Sequence, residues 1–187
     1  NRGAALRELR RVDEAIASQK RALERKPGHT DALIGLGNSL AQQKRTEEAL
    51  ACYDQALALR PDLPDALVNR GAALRDLKRH AEAAQCYARL LEIEPDYPYA
   101  HGYGFHSQMQ TCDWQGRAVS VARLEAGVLE GRRVDAPFSF LSVSDSAEAQ
   151  LRCAQSWAAD KCPATPEPVW NGAPYAHDRI RIAYLSA

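Results

Sequence analysis

Residues 30–63 read TDALIGLGNSLAQQKRTEEALACYDQALALRPDL, and residues 64–97 read PDALVNRGAALRDLKRHAEAAQCYARLLEIEPDY. The two stretches align without a gap, and four residue types recur every 34 positions along the first half of the chain. They are the glycines Gly3, Gly37 and Gly71, the leucines Leu6, Leu40 and Leu74, the alanines Ala15, Ala49 and Ala83, and the prolines Pro27, Pro61 and Pro95. Amino-acid composition alone would not place four residue types at the same 34-residue interval, so the sequence is built from structural repeats.

Each repeat predicts a pair of helices. Leu33, Leu36 and Leu40 stand three or four positions apart and would form one apolar helix face. The small residues Gly37 and Ala49 indicate where the two helices approach closely. A helix–turn–helix unit of this length is typical of the tetratricopeptide repeat (TPR), so the predicted fold class is mainly α, a right-handed solenoid. The concave face of such a solenoid usually holds a protein or peptide.

The repeat region is predicted to span residues 1–97, with a partial repeat at 1–29 and full repeats at 30–63 and 64–97. A proline closes the second helix of each repeat, because proline lacks the amide hydrogen and clashes with the preceding turn. Asn1 falls at the sixth repeat position, so we expect the natural protein to begin upstream of it.

Residues 98–131 are one more period long, but the pattern fades. Phe105 replaces the repeat glycine, and Arg117 replaces the repeat alanine. Terminal repeats are often atypical, so this segment is predicted to be a degenerate repeat of two helices that caps the stack. Its aromatic residues are expected to fill the wider gap between the helices, namely Tyr99, Tyr103, Phe105 and Trp114.

Residues 132–160 are predicted to be an intervening loop followed by a helix. Asp145 stands three residues before Glu148, which is the spacing of a capping box and predicts a helix over roughly 146–160. The expected buried face of this helix carries Ala147, Leu151, Ala154 and Trp157.

The last two segments predict a linker and a strand. Residues 161–178 contain four prolines and favour an extended connector. Residues 179–187 read RIRIAYLSA, which is typical of a buried first strand in a parallel sheet. A lone strand cannot pair its own backbone groups, so we expect the natural protein to continue after Ala187.

Composition excludes several classes of partner. Lys plus Arg and Asp plus Glu both total 24, so the neutral chain gives no electrostatic reason to expect nucleic acid or an anionic membrane. No apolar run approaches the roughly 20 residues of a membrane span. The five cysteines form no C-x-x-C pair, and free thiols fit a cytoplasmic protein.

Several motifs in this order resemble one family. Residues 31–37 read D-A-L-x-x-x-G, residues 112–114 read C-D-W, residues 136–141 read A-P-F-S-F-L, and residues 179–187 form the strand described above. Together they resemble the O-GlcNAc transferase family, glycosyltransferase family 41, and its bacterial members in particular. The three motifs that follow the repeats are more specific than the repeats themselves, because TPRs occur in many unrelated scaffolds.

The resemblance implies an enzyme that transfers N-acetylglucosamine from UDP-GlcNAc to Ser or Thr of proteins. It also implies a GT-B catalytic region of two Rossmann-like α/β domains, of which 179–187 would be the truncated first strand. The family's active site lies after this strand, so we expect no catalytic, cofactor-binding or metal-binding residue here and no activity from these residues alone. The missing catalytic domain of the same polypeptide would be one partner.

The resemblance also implies a peptide groove. In the family, asparagines on the first helix of each repeat line the inner groove and hydrogen-bond the backbone of an extended peptide. The matching sixth positions here hold Asn1, Gly35 and Asn69, and Asn38 stands nearly one turn after Gly35. Asn1, Asn38 and Asn69 are therefore the candidate peptide-binding residues, although an ordinary solvated helix face remains the alternative reading of all three.

Other candidate sites are weaker. His101 and His106 are five positions apart, which does not place two metal ligands on one helix face. The serines between 139 and 146 lack a G-x-S-x-G context for a nucleophile. Two functions other than a transferase remain open: a non-enzymatic TPR adaptor that holds a partner peptide, and an assembly module that dimerises through its repeat ends.

Overall fold

The computed structural model describes residues 11–163. Asn1, the connector after residue 163 and the predicted strand 179–187 lie outside these described residues. Within them every regular element is a helix, which confirms a mainly α fold for this part of the chain. The first six helices are α1 (Val12–Arg25), α2 (Thr30–Gln42), α3 (Thr46–Leu59), α4 (Pro64–Asp76), α5 (His80–Ile93) and α6 (Ala100–Met109).

These six helices form a solenoid in which each helix packs against its neighbours in the sequence. An added Cβ at Gly37 would lie 2.5 Å from Tyr53 Cε1, and one at Gly71 would lie 2.7 Å from Tyr87 Cζ. Contacts this short confirm that the repeat glycines mark the closest approach of the two helices of a repeat. The alanines of the same repeats, Ala49 and Ala83, are completely buried.

The 34-residue period is also visible in the backbone. Lys44, Lys78 and Cys112 stand one period apart and have φ angles of 63°, 61° and 58°. These left-handed residues follow α2, α4 and α6 and turn the chain towards the next helix. The turn of the repeat is thus kept in the segment 98–131, where most of the sequence pattern is lost.

The solenoid changes direction after α6. Helix α7 (Arg117–Leu129) shares little contact with α6 and packs mainly on α9 (Ala147–Lys161), with the single-turn α8 (Pro137–Phe140) beside it. A second core joins these elements, formed by Phe105, Leu124, Val128, Val134, Phe140, Val143, Ala149 and Cys153. Phe105 and Tyr99 are buried as expected, but Trp114 is 60% exposed, so the expectation that it fills the gap is wrong.

The chain returns from α7 to the beginning of α6. The Arg133 carbonyl accepts a hydrogen bond from the Tyr99 amide, and the Val134 carbonyl accepts one of 2.8 Å from the Gly102 amide. An added Cβ at Gly102 would lie 2.2 Å from Asp135 Oδ1, so only glycine lets the returning chain come so close. Two amides at the start of α6, which have no partner inside the helix, are thereby satisfied.

Helix α9 differs from its sequence prediction in cap and in buried face. The cap is Ser146, whose Oγ accepts a hydrogen bond of 3.2 Å from the Ala149 amide, and not Asp145. The most buried residues are Ala149 and Cys153, whereas Leu151 is 59% exposed. Alanines occur all round this helix, so sequence alone did not identify the face that docks on Phe140.

Helix α9 is fixed at its other end by polar contacts. Asp160 accepts a hydrogen bond of 2.9 Å from the Tyr99 hydroxyl, and it forms ion pairs with Arg133 and Lys161. Trp157 packs edge-on against Tyr99, with ring centroids 4.9 Å apart. None of the helices between residues 11 and 163 is long and apolar enough to span a membrane.

Candidate functional site: the face formed by the first helices

The first helices of successive repeats, α2, α4 and α6, lie on one side of the solenoid. Helices α2 and α4 contact each other directly, whereas the second helices α3 and α5 have less contact. The layer whose helices are closer together is the inner side of a curved stack. We call the surface of α2, α4 and α6 the first-helix face.

Asn38 lies partly buried on α2. Its Oδ1 accepts a hydrogen bond of 2.7 Å from the Tyr53 hydroxyl. The carbonyl end of this amide is therefore engaged inside the repeat, and the NH₂ end is the part that could serve a ligand. The sequence does not predict this partner, because helical spacing gives no information about which side chains meet between the two helices.

Asn69 lies partly buried on α4, where Ala72 and Asp76 follow at helical spacing on the same side. The equivalent residue of the preceding repeat is Gly35, and an added Cβ there would lie 2.7 Å from Gln19 Nε2. The Gln19 side chain is buried and its Oε1 accepts a hydrogen bond of 3.1 Å from Ser39 Oγ. A buried glutamine from α1 thus occupies the space in which this repeat would otherwise place an asparagine.

Tyr87 repeats the position of Tyr53 but not its hydrogen bond. The residue that corresponds to Asn38 is Ala72, which has no acceptor. Tyr87 is completely buried, and within the described residues its hydroxyl has no hydrogen-bond partner. Burial raises the pKa of Tyr87 to about 12, and the nearby Arg75 guanidinium opposes this shift.

A cavity of about 540 Å³ opens between α4 and α6. We call it the basic cavity, because four of its lining residues are Arg75, Lys78, His80 and His106; the others are Ala72, Asp76, Ser107 and Gln110. The Arg75 guanidinium lies 4.9 Å from the centre of the Tyr103 ring, which orients it.

His106 contacts a buried carboxylate beside the second core. Its Nε2 lies 2.8 Å from Asp135 Oδ2, and the Asp135 carboxylate is fully buried. Asp135 Oδ1 accepts hydrogen bonds of 2.8 Å from the Ala136 amide and 2.9 Å from Ser139 Oγ. Ser139 contacts the carboxylate and not the imidazole, so these three residues do not have the order of a nucleophilic triad.

A larger groove of about 940 Å³ lies on the other side of α6, between α5, α6 and α7. It exists because α7 turns away from α6 and leaves the small residues Ala84, Ala88 and Gly104 uncovered. Charged residues of both signs surround it, among them Glu92, Asp96, Asp113, Arg123 and Arg132.

The two histidines of interest have separate partners. His101 Nε2 lies 2.9 Å from the Pro95 carbonyl oxygen, and burial lowers the pKa of this imidazole. His106 pairs with Asp135, as described above. Among the described residues, no group of three or more His, Cys, Asp or Glu side chains is placed to hold a metal ion.

Comparison with known proteins agrees with the repeat architecture. Residues 37–75 match a TPR repeat model, and residues 1–29 and 64–97 match two further models of the tetratricopeptide repeat. No match was found among curated proteins.

Solved structures share the fold at low sequence identity. The first TPR of Spaghetti (RPAP3) bound to HSP90 peptide SRMEEVD is 23% identical, with a TM-score of 0.58 over 59% of this chain and 88% of that chain. The MamA RS-1 ArsTM double mutant is 17% identical, with a TM-score of 0.63 over 86% of this chain and 94% of that chain. A crystal structure of MamA is 13% identical, with a TM-score of 0.61 over 86% of this chain and 95% of that chain. The chain therefore carries tetratricopeptide repeats, and its described residues form a TPR-type helical solenoid.

Proposed function

We propose that this chain binds an extended segment of a partner protein along the first-helix face. The observation that carries the proposal is the position of Asn69 and Asn38, two partly buried amides on adjacent first helices. A side-chain amide such as that of Asn69 offers both a donor and an acceptor, so it can pair with the peptide bond of any sequence, and Asn38 adds the NH₂ donor of its amide. The RPAP3 domain named above has the same fold and binds a peptide, which agrees with this proposal.

Peptide selection and one substitution test the proposal. Random 12-residue peptides displayed on phage are selected on the chain, and the affinity of an enriched peptide is measured by fluorescence anisotropy. We expect Asn69→Ala to weaken binding about tenfold, because a hydrogen bond to the peptide backbone is lost. Gln55→Ala is the matched control, since Gln55 is an exposed amide on the second helix α3. Equal affinity for the wild type and Asn69→Ala would contradict the proposed groove.

We further propose that these repeats are the substrate-recognition part of an O-GlcNAc-transferase-like enzyme. The support is the resemblance of residues 112–114, 136–141 and 179–187 to that family. Two of these motifs have definite structural tasks. Asp113 accepts hydrogen bonds of 3.0 Å from Gln108 Nε2 and from the Gln115 amide, and residues 137–140 form α8 in the second core.

A non-enzymatic adaptor is the alternative, and it uses the same peptide groove. The gene sequence that follows the codon for Ala187 distinguishes the two functions. A transferase requires a continuing α/β domain, and the full-length protein should then transfer N-acetylglucosamine from radiolabelled UDP-GlcNAc to protein. A stop codon soon after Ala187, or a full-length protein inactive with every UDP-sugar, favours the adaptor.

A further inference from the structure

The basic cavity contains positive charge that the protein does not neutralise. Arg75 and Lys78 form no ion pair within residues 11–163, whereas several other arginines, such as Arg45, Arg79 and Arg89, pair with carboxylates. Asp76 is the one acidic residue among those that line the cavity. Among the lining residues alone, with the histidines counted as neutral, one positive charge is in surplus.

His80 supplies a second, independent observation. It lines the cavity at the first position of α5, and its Nδ1 is buried without a hydrogen-bond partner in the described part of the chain. A buried polar atom that lacks a partner is destabilising, and such atoms often mark a place where a ligand or water completes the hydrogen bonds.

The cavity occurs between α4 and α6, and the preceding repeat does not have the same lining residues. The residues one period earlier than Arg75, Lys78 and His80 are Ala41, Lys44 and Thr46, so only the lysine is repeated. Helices α2 and α4 also contact each other more closely than α4 and α6 do, and the wider spacing beside the Arg75–Tyr103 contact leaves room for a group of atoms. The basic cavity is therefore not a general property of the repeats.

The cavity is continuous with the proposed peptide groove. Asn69, Ala72 and Asp76 lie along one side of α4, and the last two line the cavity. A peptide held at Asn69 would thus reach the cavity, whose lining extends from about one to about two helical turns further along. We propose that the basic cavity receives the carboxylate of an Asp or Glu side chain of the bound peptide. This inference rests on the proposed function and adds a sequence preference to it.

A monoanion fits the site better than a phosphate group. The lining residues carry a single surplus positive charge, and Asp76 among them would repel a dianion more strongly than a carboxylate. Arg75 and Lys78 supply charged donors for the two carboxylate oxygens.

The test is a double-mutant cycle between the peptide acid and Lys78. Peptides selected on the wild-type chain are expected to share one acidic position at a fixed distance from the residues that contact Asn69. Changing that Glu to Gln should weaken binding to the wild type about tenfold, as loss of a charge-assisted hydrogen bond does. On the Lys78→Gln variant the same change in the peptide should have little effect.

Lys44→Gln is the matched control, because Lys44 has the same repeat position and backbone conformation but lies outside the cavity. It should keep the full dependence on the peptide Glu. Lys78 is exposed, so the variant is expected to fold, and a thermal melt verifies this. Selected peptides without a fixed acidic position, or an equal Glu dependence on wild type and Lys78→Gln, would overturn the inference and leave the peptide groove intact. Failure to select any peptide would overturn both.

Discussion

The Tyr53 hydroxyl donates a hydrogen bond of 2.7 Å to Asn38 Oδ1, and this pair links the two helices of one repeat. One period later, Tyr87 keeps the same buried position, but Ala72 stands in place of the asparagine. The two repeats therefore contain one hydroxyl with a side-chain acceptor and one without, in nearly the same surroundings. This contrast lets the cost of a buried polar group be measured within a single protein.

Removal of each hydroxyl should have opposite consequences. We expect Tyr53→Phe to lower the free energy of unfolding by about 1 kcal/mol, because it breaks an existing hydrogen bond. Tyr87→Phe should be neutral or stabilising, because it removes a buried hydroxyl that has no partner. Urea denaturation of both variants is the measurement. An equal loss of stability in both would show that the Tyr87 hydroxyl is satisfied in solution, for example by water.

Restoring the acceptor should stabilise the second repeat. We expect Ala72→Asn to raise the free energy of unfolding by about 0.5–1.5 kcal/mol, since its side-chain oxygen can accept from the Tyr87 hydroxyl as Asn38 does from Tyr53. Ala72 is exposed, so the larger side chain has room. The control is Ala72→Asn in the Tyr87→Phe background, where the gain should disappear.

The repeat glycines should not tolerate a methyl group. An added Cβ at Gly71 meets the Tyr87 ring at 2.7 Å, which is shorter than any normal contact between carbon atoms. We expect Gly71→Ala to cost about 1–3 kcal/mol of stability through overpacking. Gly28→Ala serves as the control, because its nearest neighbour, Leu59 Cδ1, lies at 3.9 Å. A chemical melt in which the two variants are equally stable would contradict the close helix contact at Gly71.

The sequence was sufficient for the regular part of the fold. Its 34-residue period predicted helix pairs and the contact glycines, because these features depend on spacing within one repeat. The departure of α7 was not predictable in the same way. It depends on contacts between α6 and residues far along the chain, such as Gly102 with Val134 and His106 with Asp135. Local periodicity carries no information about such pairs.

In the candidate site, too, some features follow from the repeat spacing and others depend on contacts between helices. The positions of Asn38 and Asn69 on first helices follow from the repeat register, and their contact with a peptide stays a prediction. The partner of Asn38 and the basic cavity depend on which side chains meet between helices. One difference is visible in the sequence. Tyr53 recurs one period later as Tyr87, but Asn38 recurs as Ala72. The second repeat therefore keeps the tyrosine hydroxyl and loses the asparagine that accepts its hydrogen bond.

Helix α9 should lose part of its attachment in acid. The ion pair with Lys161, the Tyr99 hydroxyl and Arg133 together lower the pKa of Asp160 to about 2, well below the value of about 3.9 expected in the unfolded chain. A group whose pKa is lowered on folding contributes stability above its unfolded pKa and loses it as the pH falls through the folded pKa. The contribution of Asp160 to the stability of the folded state is therefore complete at neutral pH, and it should decline between about pH 4 and pH 2.

Asp160→Asn tests this dependence. The variant should melt at a lower temperature than the wild type at pH 7, because the ion pairs with Arg133 and Lys161 are lost. The difference between the two melting temperatures should shrink as the pH falls from 4 towards 2, since the wild-type carboxylate is then also neutral. Near-ultraviolet circular dichroism reports the local detachment of α9, because Trp157 packs edge-on against Tyr99 at this end of the helix.

The control is Glu24→Gln, at an exposed position of α1. Its melting temperature should not converge with that of the wild type in this way as the pH falls. A difference between wild type and Asp160→Asn that stays constant from pH 7 to pH 2 would mean that the charge of Asp160 does not hold α9 in place.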